Sequence, residues 1–152
     1  MNMGKNTGVP VHSVLRIVLG AIFLWASWDK IARPEAFAGV IGNYQLLPET
    51  MVPLVAIVLP WTEAVCGICL VTGIWAGGAA LIVNMLVVVF IAALSMNLLR
   101  GIDVNCGCFS VDGASAGSTP LEIGRDLVIL AMGIVVFVGE IRAHSVQRSS
   151  AP

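Results

Sequence analysis

Charge is scarce in this chain. Only 11% of its 152 residues are charged, against about a quarter in an average soluble domain. Acids and bases nearly cancel, at a net charge of −1, and no Lys/Arg run is present to neutralise phosphates. Nothing therefore points to a nucleic-acid partner. Cysteine is sparse too. Four residues are few for a disulfide scaffold, so their spacing carries the information. No alternating apolar–polar pattern appears, which argues against a transmembrane barrel. What the chain has is apolar sequence: 58% of its residues are hydrophobic. A soluble core of this size could not hide that surface, and a bilayer can.

A spanning helix needs about 20 mostly apolar residues. Four segments meet that length: 11–28, 52–74, 76–99 and 120–141. The expected fold is an all-α membrane protein, a single domain (1–152) built as a four-transmembrane-helix bundle. The first segment is long for the apolar core of a signal peptide. It lacks a small-x-small cleavage site before Trp28-Asp29-Lys30, so it reads as a retained helix.

The connections differ. Segments two and three meet around Trp75-Ala76-Gly77-Gly78, which implies a tight antiparallel hairpin. Between segments one and two, Pro34 and Glu35 suit a helix start. Phe37, Val40, Ile41 and Tyr44 recur at helical spacing. A short interfacial helix ending near Asn43 is expected there. Thr119-Pro120-Leu121-Glu122 reads as a capping box opening the last helix, and the tail after Arg142 reads as loose. Both long connections then share one side of the membrane. Lys and Arg leave the orientation balanced, with Lys5, Arg16, Arg142 and Arg148 towards the termini and Lys30, Arg33, Arg100 and Arg125 towards the loops. Paired cysteines make chemical sense in an oxidising compartment, which places the loops outside.

Those cysteines are Cys106-Gly107-Cys108, in the last connection. One intervening residue permits only a small, strained ring, and Gly107 lets the backbone attempt it. Strained, exposed disulfides are oxidising and labile, so they suit thiol exchange. Asp103 and Arg100 would tune thiolate character in opposite directions. A soft-metal ligand pair and a purely structural loop are the competing readings. Cys66-Gly67-Ile68-Cys69 has redox spacing, but Cys66 lies roughly 20 Å along its helix, where a small packing residue is the ordinary reading.

Ionisable residues at membrane depth are costly and mark functional sites. Glu63 follows Pro60-Trp61-Thr62 in the middle of the second segment. It is expected to be protonated or paired with Arg16, Lys30, Arg100 or Arg125. Asp29 and Lys30 end the first helix, and Arg125-Asp126 opens the last. With both loops on one face, these groups would converge beneath the cysteine loop. A polar knot that only fixes helix packing is the plainer alternative.

Several of these stretches resemble the MauE branch of the DoxX-like membrane proteins. They are residues 16–30 with Gly20, Phe23, Trp28 and Lys30; residues 37–48 with Asn43, Tyr44 and Pro48; Pro60-Trp61-Thr62-Glu63 followed by Gly67 and Gly73; Arg100-Gly101 leading to Cys106-Gly107-Cys108-Phe109; and Arg125-Asp126. The resemblance spans about 11–138. It implies a four-helix bundle in the bacterial inner membrane, with cytoplasmic termini and Cys106 and Cys108 as a periplasm-facing redox pair. It implies a role in maturing a periplasmic, disulfide-rich client such as the methylamine dehydrogenase small subunit, together with a thioredoxin-like, MauD-like partner. Relatives linked to quinone make quinone a candidate cofactor, with Glu63, Trp61 and Arg125 the residues that would bind it or fix the loop. Cys66 and Cys69 lie outside the resembling pattern. A non-enzymatic assembly or export factor, and a copper or zinc handling protein, are the alternative functions.

Overall fold

The structure, a computed structural model, describes residues 11–101 and 119–149. These form five helices: α1 (Val11–Ala32), α2 (Pro34–Asn43), α3 (Val52–Thr72), α4 (Ala76–Leu99) and α5 (Thr119–Ser149). No strand occurs among the described residues. Three helices, α1, α3 and α4, are long and apolar enough to cross a membrane. At 22, 21 and 24 residues, each is about 30–36 Å long, which matches a hydrocarbon core of about 30 Å.

Polarity is distributed as a bilayer demands. Trp25, Trp28, Leu54, Ile57, Met85, Val89 and Val128 are exposed, whereas Lys30 and Glu63 are buried. In water that arrangement would be inverted. In lipid it puts apolar side chains against acyl chains and gives the charges protein partners.

α1 packs on α3, α4 on α5, and α5 also on α1. The α1–α3 contact is set by two glycines. A Cβ on Gly20 would fall 2.8 Å from the Gly67 carbonyl oxygen, and one on Gly67 would fall 3.0 Å from that of Gly20. Without side chains at these points the backbones come together, the small-residue packing that membrane helices favour. The main core surrounds this crossing, with Leu19, Phe23, Leu70, Val83, Val87 and Val136 buried.

The α3–α4 hairpin turns over 73–75: α4 opens at Ala76, and α3 closes at Thr72, two residues before the sequence reading had it. Gly73 ends α3 at φ 81°, its N–H donating to the Cys69 carbonyl at 2.9 Å, a left-handed cap that glycine adopts freely. Trp75 enters α4 at φ 55°. Two further bounds depart from the sequence reading. α1 runs past Trp28 to Ala32, because no breaker intervenes before Pro34. α5 continues past Ile141 to Ser149, so the tail after Arg142 is helical rather than loose, since no Gly or Pro interrupts 140–149. α3 runs unbroken through Pro60.

The glycine crossing yields a test. Gly67→Val should lower stability in detergent by about 1–3 kcal/mol, the usual cost of overpacking, read by chemical or thermal unfolding. Gly78→Ala, whose Cβ would meet nothing within 4 Å, should leave stability unchanged or slightly raised.

Candidate functional site: a buried charge cluster

Lys30, near the end of α1, donates to both carboxylate oxygens of Glu63 on α3, at 2.9 and 2.8 Å. Each residue is 1% exposed. The helical pattern dictates this meeting. Lys30 shares a face of α1 with Phe23, Ala26 and Ser27, and Glu63 shares a face of α3 with Ala56, Pro60, Gly67 and Leu70. The glycine crossing brings those faces close enough for the ammonium to span them. Of the four partners the sequence allowed for Glu63, the fold selects Lys30.

The ammonium is further enclosed by two aromatic rings, its Nζ 5.2 Å from the Phe37 centroid and 5.4 Å from that of Phe90. Both lie within the roughly 6 Å at which a ring face attracts a cation. Phe37 comes from α2 and Phe90 from α4, so four helices converge on one lysine. α5 completes the cluster with Asp126, which is 4% exposed. The Arg125 side chain donates to its Oδ1 through Nε at 3.2 Å and Nη2 at 3.0 Å. Lys30, Glu63, Asp126 and Phe90 line one cavity of about 30 Å³.

The other predicted residues lie elsewhere. Trp61 is 57% exposed on the outer face of α3; two positions from Glu63, it points about 200° around the helix. Asp29 pairs with Arg33 one turn along, on a partly exposed flank. Arg100 is exposed at the end of α4. Arg16 pairs with Glu140 of α5 at 3.3 Å. Its guanidinium lies where a Cβ on Gly73 would fall, 2.8 Å from Nη1, against the negative end of α3. Cys66 and Cys69 are free thiols, Cys66 buried in the main core and Cys69 packed against it. Cys106 and Cys108 lie outside the described residues.

The sequence marked Phe37 and Tyr44 only by helical spacing and family resemblance, without a role in the cluster, and did not mark Phe90. Phe37 and Phe90 differ in no local way from other core aromatics. Tyr44 is the chain's single tyrosine and follows α2; it packs with Leu94 of α4 and Ile123 of α5. Burial pushes its phenol above its ordinary pKa, and the Glu122 and Asp126 carboxylates push the same way, against Arg125. Tyr44 also borders a chamber of about 240 Å³ between α2, α3 and α4, whose walls include Phe37, Ile41, Leu59, Val89 and Phe90. Apart from Tyr44, the lining residues are apolar.

A helical bundle with outward apolar faces and an inward ion pair is a membrane protein. The family model described as methylamine utilisation protein MauE matches residues 9–139, and the chain belongs to that family. The methylamine utilization protein MauE of Paracoccus denitrificans is 37% identical over 126 residues, 82% of this chain and 67% of that protein. The protein of the same name from Methylorubrum extorquens is 33% identical over 127 residues, 82% and 68% of the two chains. That of Methylophilus methylotrophus is 28% identical over 127 residues, 83% and 67%. No solved structure is a significant match.

The ion pair predicts an asymmetric mutational pattern. Lys30→Met strands a buried carboxylate and should cost about 3–5 kcal/mol, whereas Lys30→Met with Glu63→Leu should recover most of that loss. Unfolding of the two single variants and the double variant in detergent measures it.

Proposed function

We propose that this chain is a multi-pass protein of the bacterial inner membrane that serves thiol–disulfide maturation of a periplasmic client, in methylamine utilisation as its relatives' names indicate. α1, α3, α4 and α5 are the four spans, with α2 at the interface. The termini are cytoplasmic and the connection carrying Cys106 and Cys108 is periplasmic. Support for α5 as the fourth span comes from its outward Leu127, Val128, Ile134, Val135 and Val138. The long connections of α1–α3 and α4–α5 leave from one end of such a bundle.

The observation that carries the reading is the position of Cys106-Gly107-Cys108 in the link from α4 to α5. Asp126 lies seven residues into α5, about 10 Å along the helix from its start at Thr119. The cysteine pair is the exchanging group. A thiolate attacks a disulfide of a periplasmic thioredoxin-like, MauD-like partner, or the partner attacks the Cys106–Cys108 disulfide. Either way a mixed disulfide forms, and the second thiol resolves it, leaving one dithiol and one disulfide. Lys30–Glu63 ties α1 to α3, and Arg125–Asp126 lies within the first turns of α5.

Cysteine trapping tests this. With Cys106→Ser or Cys108→Ser, one variant should accumulate a mixed disulfide with the thioredoxin-like partner on non-reducing gels, and client maturation should fall to background in both. If neither variant traps a partner and both mature the client normally, the redox reading fails and a non-enzymatic assembly role takes its place. Labelling of Cys108 by an impermeant maleimide should occur from the periplasmic side; labelling from the cytoplasm alone would reverse the topology.

A further inference from the structure

Asp126 has an unsettled hydrogen-bond account. Arg125 reaches only its Oδ1. Oδ2 is buried with no hydrogen-bond partner among the described residues, and Asp126 is only 4% exposed. A buried carboxylate oxygen left without a partner is destabilising, and buried polar atoms in native proteins are ordinarily satisfied. Lys30 has a matching surplus. An ammonium carries three N–H groups, and the two bonds to Glu63 leave one. Asp126, Lys30 and Glu63 line the same cavity of about 30 Å³.

We infer that this cavity is a water-binding site, and that the bound water joins Asp126 of α5 to the Lys30–Glu63 pair of α1 and α3. A water donates to Asp126 Oδ2 and accepts the third N–H of Lys30. On the scale at which one water needs about 10–15 Å³, the cavity holds about two. The donor set rejects other small occupants. A divalent cation wants six or more oxygens. Here both Glu63 oxygens are taken by Lys30, one Asp126 oxygen is taken by Arg125, and the ammonium repels positive charge. An anion would face two carboxylates. Water is both donor and acceptor, and fits both vacancies. The remaining walls, among them Phe23, Ala26, Val87 and Ile129, are apolar and confine it to the charged corner. The site thus turns two ion pairs into one hydrogen-bonded unit spanning α1, α3 and α5.

Hydroxyl-radical footprinting by microsecond X-ray pulses on the full chain in detergent micelles reads this directly, because radicals formed from bound water modify side chains that bulk radicals do not reach. Phe23 is the reporter: it is 6% exposed and lines the cavity. In the native chain Phe23 should be modified. Modification should be lost in Asp126→Leu, which removes the acceptor. It should also be lost in Ala26→Leu, which fills the cavity and leaves every charge in place, so the result does not hang on the fold tolerating one substitution. An unmodified Phe23 in the native chain, with exposed Trp25 modified, would overturn the inference. So would Phe23 modification that persists in both variants.

Discussion

The Lys30–Glu63 pair is the interaction on which the rest of this bundle depends. An ammonium and a carboxylate, each 1% exposed, are tolerable inside a membrane bundle only as partners. Their contact fixes how α1 and α3 are rotated and how far they are slid along each other. The glycine crossing permits it, because Gly20 and Gly67 let the backbones approach. The aromatic enclosure adds α2 through Phe37 and α4 through Phe90. Asp126 then ties in α5 at the same cavity. Five helices are positioned around one lysine.

A second polar contact lies towards the opposite end. Arg16 of α1 meets Glu140 of α5 and the close of α3 at Gly73. Between the two contacts the core is apolar and small-residue rich, with Ala79, Ala80, Val83 and Cys66 buried. The bundle is thus pinned by charge near both ends and packed by shape between them.

The helices and their connections were legible because hydropathy and chain breakers act locally. Runs of apolar residues mark α1, α3 and α4, and Pro34 with Glu35 marks α2. Helix ends were less legible where no breaker stands, as beyond Ile141. Glu63 announced itself as a carboxyl in an apolar run, but its partner could not be read, since four cations were within plausible reach. The choice of Lys30 depends on which faces of α1 and α3 meet, and that is decided by the glycine crossing. Trp61 shows the reverse difficulty. Adjacent to Glu63 in the motif, it faces outward, because two residues along a helix carry a side chain most of the way round. Phe37 and Tyr44 showed locally only as part of a helical pattern, and their roles, like that of Phe90, come from contacts between elements. The cysteine pair is legible only as a motif, with Cys106 and Cys108 outside the described residues.

Lys30 and Glu63 are direct partners inside the bundle. Solid-state NMR on the protein in lipid bilayers, with ¹⁵N-lysine and ¹³C-glutamate labels, measures this contact through the dipolar coupling between Lys30 Nζ and the Glu63 carboxyl carbon. The chain has one other lysine, Lys5, so the coupled nitrogen is assigned with a Lys30→Arg control. The expected result is a strong coupling that corresponds to direct contact, as Nζ–O distances of 2.8 and 2.9 Å require, and that vanishes in the control. No coupling, with the Lys30 ammonium exchanging freely with bulk water, would contradict it.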